Sequence, residues 1–545
     1  MTANIYDVIV VGAGAGGGVA AALLAEAGKR VLLLERGRRM TFADVGRDHL
    51  RNQRLSLYGV NAGPNLKDNP RVAVDLEGGV RVIDATDGAY QNNAAAVGGG
   101  TQVYGAQAWR YLPDDFRMAS KYGVPDGSSL ADWPISYEDL APDYERAEWE
   151  MGVAGDEEDA GKNRPRHKEY PMPPLMMNAQ GRALRAAADA LGWDTQHVPL
   201  LINSTPRGGR DACVHCQQCV GFACPTDAKN GTHNTMIPRA LATGLCTLET
   251  EVMAERVIVG GDGHATGVVY WNAQGEQVTA SSEVVVLSGG AVETARLLLN
   301  SKTDTHPSGL GNNSDQVGRS LQGHFYAGAY GWMDEPVWDG IGPGPTTATI
   351  RFNHNNDGIV GGGMLCDDFI MQPINFVKGI APPGMPRRGL EYKQWVRHSY
   401  TRMLRVFGPV HDIPSPTARV EIDPNVRDRW GIPVVRISGA THPETLRVHA
   451  FMNARAEEWL RASGAKNIRS DAATLGLSGG QHQAGTCRMG HDPKTSVTDP
   501  WGRVHGFDNL YIADGSLHVT NGGFNPVLTI LALSFRVAGH IVRSW

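Results

Sequence analysis

Residues 7–17 read DVIVVGAGAGG. Positions 8–11 are continuously apolar, as a strand buried on both faces should be. The glycines stand as Gly12-x-Gly14-x-x-Gly17. Residues 19–27 are apolar and Ala-rich, which predicts a helix stopped by Gly28. Residues 31–34 predict a second buried strand, ending at Glu35. Gly12 permits the tight turn, Gly14 lets a pyrophosphate approach the backbone, and Gly17 lets helix and strand pack closely. The helix N-terminus stabilises the phosphate charge. Glu35 can accept hydrogen bonds from a ribose hydroxyl. A lone glycine pattern is weak evidence, since chance glycine turns are common. Here strand, turn, helix, strand and acid come in the order a dinucleotide site requires. The motif does not separate NAD from FAD.

Beyond this unit the chain has 545 residues, room for two large domains and a sizeable core. Hydrophobic residues make up 41% and charged residues 20%, which excludes a disordered chain. The balance of 51 basic and 57 acidic residues gives a net charge of −6, without the basic stripe of a nucleic-acid binder. No uncharged apolar run is long enough to predict a membrane span, and the N-terminus lacks the basic start of a signal peptide. The expectation is a cytoplasmic enzyme with reduced thiols: seven cysteines are an odd number for a disulfide framework.

Residues 154–174 are charged and Pro-rich and read as an exposed linker or loop. Residues 283–287 predict a further buried strand, followed by the turn Ser288-Gly289-Gly290 and a helix over 293–299. An amphipathic helix is predicted near 443–463, a strand at 510–513 and a last helix near 526–543.

The C-terminal stretches QHQAGTCRMG (481–490) and VTDPWGRVHGFDNLYIADGSLHVTNGGFNPVLTIL (497–531), with the N-terminal motif, resemble the glucose–methanol–choline (GMC) flavoprotein oxidoreductases. Gly98-Gly99-Gly100-Thr101 is similar to that family's flavin-contacting loop, and residues 284–291 to its second strand–turn. The resemblance implies FAD and an α/β, GMC-type fold. A Rossmann-like FAD-binding domain would take 1–110, 213–330 and 472–545. A substrate-binding domain on a mixed sheet would take 331–471, with 111–212 as cap and linker. Asp514 would contact the ribityl–phosphate region. Val252 and Pro526 complete the implied cofactor-contacting set with Gly12, Gly14, Gly17, Glu35, Gly99, Gly100, Thr101 and Asn525. His482, in His-x-x-Gly-Thr, and Asn525, in Gly-Phe-Asn-Pro, match the pair that faces the flavin N5. Alcohol oxidation removes a proton and a hydride from one CH–OH group. A neutral imidazole can take the proton, and a neutral amide can hold the oxygen without competing as a base.

Residues 97–110, VGGGTQVYGAQAWR, with GTCRMG, look most like pyranose oxidases and bacterial glycoside 3-oxidases, including C-glycoside oxidases. The implied reaction is oxidation of a secondary hydroxyl of a sugar or glycoside, at C3 in preference to C2, with O2 or another acceptor reoxidising the flavin. Fungal pyranose oxidases link FAD covalently through a histidine. Val103 stands at that position, which implies non-covalent FAD.

Cys213-x2-Cys216-x2-Cys219-x4-Cys224-Pro225 is one residue longer than a ferredoxin run. An iron–sulfur cluster feeding a cytochrome would make the chain a dehydrogenase subunit. Zinc is an alternative, with His215 and His233 near in sequence. The preferred reading is a thiol-rich turn without metal. His518 is a further pocket residue to test, His324 resembles a structural Asp-His motif of the family, and His442 and His491 read as surface or capping groups.

Overall fold

A computed structural model of the chain describes residues 5–45, 62–91, 93–158, 164–368, 371, 373–382, 384–477 and 480–545. Within the charged 154–174 stretch, residues 159–163 lie outside them.

The N-terminal unit folds as its pattern dictates: strand Ile5–Val11, helix Ala15–Glu26, strand Val31–Glu35. Val8, Ile9, Val10 and Val31 to Leu33 are fully buried, because both faces of these parallel strands are covered. Gly12 sits at φ +104°, and a Cβ there would strike the carbonyl oxygen of Ser288. A Cβ on Gly17 would strike the carbonyl oxygen of Gly12.

Ile5–Val11 is central in a seven-stranded sheet. Cys246–Thr250, Val31–Glu35, Ile5–Val11 and the end of Gln277–Leu287 run parallel. One edge of the long strand Gln277–Leu287 carries two partners in succession. Residues 277–281 pair antiparallel with Ala265–Trp271, itself paired with Met253–Val259, while 285–287 pair parallel with Leu510–Ile512. The turns after Val11, Glu35, Leu287 and Ile512 therefore leave the sheet at one end. In doubly wound sheets that end is where ligands bind.

Helix Val527–Ser544 packs between Ala15–Glu26 and Tyr137–Met151. Its length and composition would suit a membrane span, but 56% of it is buried inside the fold, with Leu528, Leu531 and Phe535 in the core.

Residues 331–471 contribute to two sheets. One is six-stranded, in the order Lys466–Ser470, Tyr326–Trp332, Met403–Pro409, Leu365–Asp367, Thr347–Thr349, Gln196–His197, and every pairing in it is antiparallel. Helix Pro443–Ala462 covers it, burying Val448, Met452, Ala456 and Trp459 in a second core. The other sheet is mixed: Arg419–Arg427 and Pro433–Ser438 join Arg71–Val74 and Val80–Ile83. It crosses the boundary drawn at 331 from sequence. The reason is electrostatic as well as apolar. Arg296, on helix Gly290–Asn300, reaches Asp428 at 2.7 Å and the Pro433 carbonyl at 2.9 Å. The 111–212 stretch also divides, since Gln196–His197 edges the antiparallel sheet while Tyr137–Met151 packs on the C-terminal helix.

Candidate functional site

The loops at the C-terminal ends of the parallel strands enclose a cavity. Ten of the eleven expected cofactor residues line it: Gly12, Gly14, Glu35, Gly99, Gly100, Thr101, Val252, Asp514, Asn525 and Pro526. Gly17 does not. It lies one helical turn behind the rim, where its missing Cβ makes room for Gly12. Val103 is also off the wall, packed with Val45, Ala62 and Ala223.

The fit of a dinucleotide rests on Gly14 and Gly100. Neither has a positive φ, and a Cβ on either would meet no protein atom within 4 Å. Neither backbone strain nor packing asks for glycine there; a ligand lying against the backbone does. Gly14 is the N-cap of helix Ala15–Glu26 and offers no side-chain cap, so the helix's first N–H groups are left for an anion. Glu35 accepts from Ala13 N at 2.9 Å and Gly37 N at 2.8 Å, which aims its carboxylate at the turn. Asp514 is held at both oxygens. Gly290 N and Thr294 Oγ1 donate to Oδ2 at 2.9 and 2.6 Å, and Ser516 N and Oγ donate to Oδ1 at 2.8 and 2.6 Å. Burial raises both carboxyl pKa values, and these donors oppose it. Glu35, Val252 and the turn around Gly290 would hold the adenosine side of FAD. Asp514, Gly99, Gly100 and Thr101 would hold its ribityl and ring side.

His482 and Asn525 meet at the other end, joined through Tyr326. Asn525 Nδ2 donates to the Tyr326 hydroxyl at 3.1 Å, and the Tyr326 ring lies 6.1 Å from that of His482. Tyr326 starts the strand Tyr326–Trp332 of the antiparallel sheet and stacks on Phe407, its near neighbour across the strands. Asn525 Oδ1 is buried with no hydrogen-bond partner among the described residues.

The histidine's protonation follows from its neighbours. His324 Nε2 lies 2.6 Å from the Gly522 carbonyl oxygen, which can only accept. The neutral His324 ring therefore carries its proton on Nε2 and presents a lone pair at Nδ1. That lone pair faces His482 Nδ1 at 2.9 Å, so His482 donates from Nδ1 and keeps an unprotonated Nε2. Burial pushes His482 down to about 4, and His324 well below its ordinary value, so both rings are neutral near pH 7. Asn521 Nδ2 holds the His482 carbonyl at 2.8 Å, on a backbone at φ +64°.

The remaining histidines sort differently. His518 is fully buried behind the wall, against Trp133 and Tyr111, and does not reach the cavity. His442 caps helix Pro443–Ala462, accepting from Glu444 N at 3.2 Å. His491 is exposed.

A unit the sequence did not signal lies beneath the 520–523 loop. Asp115 Oδ1 accepts from His354 Nε2 at 3.0 Å and from His411 Nε2 at 2.7 Å, and Asp115 O accepts from Thr520 at 3.2 Å. Burial raises the Asp115 pKa, but the two imidazoles outweigh it and bring it below the ordinary value. Among the described residues this is the group whose His, Cys, Asp and Glu ligand atoms come within 4.8 Å of one another. Its distances are those of hydrogen bonds.

The four thiols at 213–224 do not form such a group. Burial raises Cys213 to about 11 and Cys219 to about 12. Lys229 is buried among the loop's carbonyls, donating to Cys219 O at 2.6 Å and Phe222 O at 2.8 Å. His215 instead faces Gly342 O at 2.8 Å, and His233 lies under Gly98. The loop borders the cofactor cavity: Val220 lines it, and Gly221 N donates to Val103 O at 2.7 Å.

Comparison with known proteins identifies the family. The GMC oxidoreductase family model matches residues 6–326 with its N-terminal part and 414–534 with its C-terminal part. Paromamine 6'-oxidase of Streptomyces fradiae is 33% identical, over 99% of this chain and 92% of its own. The fructose dehydrogenase large subunit of Gluconobacter japonicus is 27% identical, over 98% of each chain. Among solved structures, pyridoxine 4-oxidase from Mesorbium loti superposes with a TM-score of 0.65 at 18% identity, covering 98% of each chain. With both halves of the family pattern matched, the chain belongs to the GMC oxidoreductases, flavoproteins that bind FAD and oxidise CH–OH groups.

Proposed function

We propose that the chain oxidises a secondary hydroxyl of a sugar ring or glycoside to a ketone, at C3 in preference to C2, using non-covalent FAD that O2 reoxidises with release of H2O2. The observation that carries this reading is the fixed His324–His482 pair at the end of the dinucleotide cavity. Bound FAD would supply the acceptor for the hydride leaving the substrate carbon. His482 Nε2 takes the hydroxyl proton. Asn525 and the Tyr326 hydroxyl hold the oxygen as it gains charge. Ala106, Gln107, Gln481 and Gln483 line the same cavity.

Sugars are favoured as substrates by the 33% identity to oxidases named for paromamine and 6'''-hydroxyparomomycin C. C3 is favoured because a bulky group at C1 crowds the neighbouring C2 hydroxyl more than one across the ring. Non-covalent binding is supported by Val103, which carries no nucleophile and lies off the wall. Acid precipitation should leave the flavin in the supernatant. A reducing, cytoplasmic setting belongs to the same proposal and is supported by seven unpaired cysteines. NMR of the product from a methyl glucoside tests regiochemistry: a C3 ketone supports the reading, and a C2 ketone or C6 aldehyde overturns it.

One observation favours a second reading, a dehydrogenase subunit that passes electrons through a Cys-ligated cluster. The Cys213–Cys224 loop lies against the segment that faces the flavin. Iron analysis of anaerobically purified protein separates the two: about three or four irons per chain would establish the cluster.

A further inference from the structure

We propose that Asn521 is the positioning residue of the His324–His482 pair: its side-chain amide ties the backbone behind one ring to the backbone of the other and so fixes how the two rings face. This rests on the reading of His482 as the base. Asn521 is fully buried and off the cavity wall, so it acts through the histidines and not on the substrate.

The orientation of the amide follows from its partners. Nδ2 donates to Gly323 O at 3.0 Å and to His482 O at 2.8 Å, two carbonyl oxygens that can only accept. One of these carbonyls belongs to the residue before His324, the other to His482 itself. Both N–H groups of the amide are thereby used. Oδ1 accepts from the Tyr111 hydroxyl at 3.1 Å. The Asn521 backbone N–H donates to Gln322 Oε1 at 2.7 Å, and Gln322 Nε2 donates to Val519 O at 3.2 Å. The loop is anchored from beneath as well, where Trp133 Nε1 donates to Thr520 Oγ1 at 2.8 Å. The next residue, Gly522, carries the carbonyl that accepts from His324 Nε2. Two consecutive residues therefore grip His324 at its ring and its preceding carbonyl, and His482 at its own.

The segments bearing the two histidines are also joined directly. Gln322 and Ala484 exchange two backbone bonds at 3.0 Å, and His324 N donates to Gln481 O at 3.2 Å. Those bonds set the register. They do not reach the carbonyls of Gly323 and His482, whose donor is Asn521. His482 sits at φ +64°, a conformation that few residues with a side chain adopt and that the surroundings must hold. Without the amide, two buried acceptors converge with no proton between them, which is costly. Relief comes from rotating the peptide after His482 or drawing the segments apart. Either movement turns a ring whose Nδ1 has to meet its partner at 2.9 Å.

The test grades the number of donors. Asn521→Asp keeps the shape and offers one donor at most, when protonated; Asn521→Leu offers none. Two readouts are taken on FAD-loaded protein. One is the tautomer of His482 by histidine ring-nitrogen NMR, assigned by the signals lost in His482→Asn. The other is the limiting rate and half-saturation of anaerobic flavin reduction by methyl β-glucoside. The wild type should show His482 protonated at Nδ1. The limiting rate should fall about tenfold in Asn521→Asp and about a hundredfold in Asn521→Leu, the scale of loss when a catalytic group is misplaced from afar. Half-saturation should change by less than about twofold, since no substrate contact is removed. The Nδ1–H signature should weaken in the same order. A residue needed only for folding would lower the melting temperature and FAD content while the folded, FAD-loaded fraction kept the wild-type limiting rate and tautomer, and that result overturns the assignment. If Asn521→Leu does not fold, Asn521→Asp decides by the same two readouts. If methyl β-glucoside leaves the wild-type flavin oxidised, it is the glycoside reading that fails. The tautomer readout then still decides the positioning role: a signature lost on substitution upholds it, and one retained overturns it.

Discussion

The Nδ1 atoms of His324 and His482 face each other at 2.9 Å, so one ring must donate to the other. The Gly522 carbonyl, 2.6 Å from the far side of His324, decides which. A residue 158 positions away in sequence thus sets the protonation of His482 Nε2. Replacing His324 with Leu removes the acceptor and leaves His482 free to place its proton on either nitrogen. Flavin reduction should slow by about tenfold, the worth of one net hydrogen bond. The pH profile should shift while KM barely moves. An unchanged profile would show that the pair does not select the tautomer.

His482→Asn keeps a residue that tolerates the positive φ of this loop but removes the base. Flavin reduction should fall by about 10²–10⁴-fold with FAD still bound. Retention of half the wild-type rate would remove His482 from the role. Asn525→Ala should cost less, since Tyr326 remains to hold the oxygen.

Burial lowers His482 from the ordinary 6.5 to about 4. The base stays neutral well below the usual imidazole range, so the reduction rate should be flat from about pH 8 to pH 6 and decline only toward the folded value. Stability follows the same sign. Below pH 6.5 the unfolded chain binds protons that the folded His482, His324 and His518 refuse. Their full contribution is present above 6.5 and is lost as pH falls toward 4. Thermal scans at pH 7 and pH 5 should show the lower midpoint at pH 5.

Gly14 and Gly17 separate ligand contact from packing. Gly14→Ala meets no protein atom, so the cofactor-free protein should melt where the wild type does while FAD affinity falls about tenfold. Gly17→Ala collides with the Gly12 backbone and should destabilise by about 1–3 kcal/mol even without FAD. Equal loss of stability in both variants would remove the evidence that Gly14 faces a ligand.

The parts of this site that the sequence displayed are those written in consecutive residues. The Gly12–Glu35 unit shows itself because turn, helix and buried strands each leave a local pattern. His482 and Asn525 sit in short, ordered motifs. What was hidden is assembled across the chain. Tyr326 reaches the site because the strand Tyr326–Trp332 of the antiparallel sheet begins there. Asp115 finds its two histidines 239 and 296 positions away, and no periodicity marks such a meeting. The pairing of Pro433–Ser438 with Arg71–Val74 is equally silent, since each strand reads as an ordinary apolar run whose partner only packing selects.

The activity proposed for this FAD site is oxidation of sugar-ring hydroxyls. The direct measurement is anaerobic bleaching of the wild-type flavin by a panel of free sugars, O-glycosides and C-glycosides set against primary aliphatic alcohols, choline and sterols, followed by readmission of O2. Oxidation of sugar-ring hydroxyls should give rapid bleaching by glycosides, slow or no bleaching by the others, and return of the oxidised spectrum with H2O2 when O2 enters. Preferential bleaching by an aliphatic alcohol, or a glycoside-reduced flavin that O2 fails to reoxidise, would contradict it.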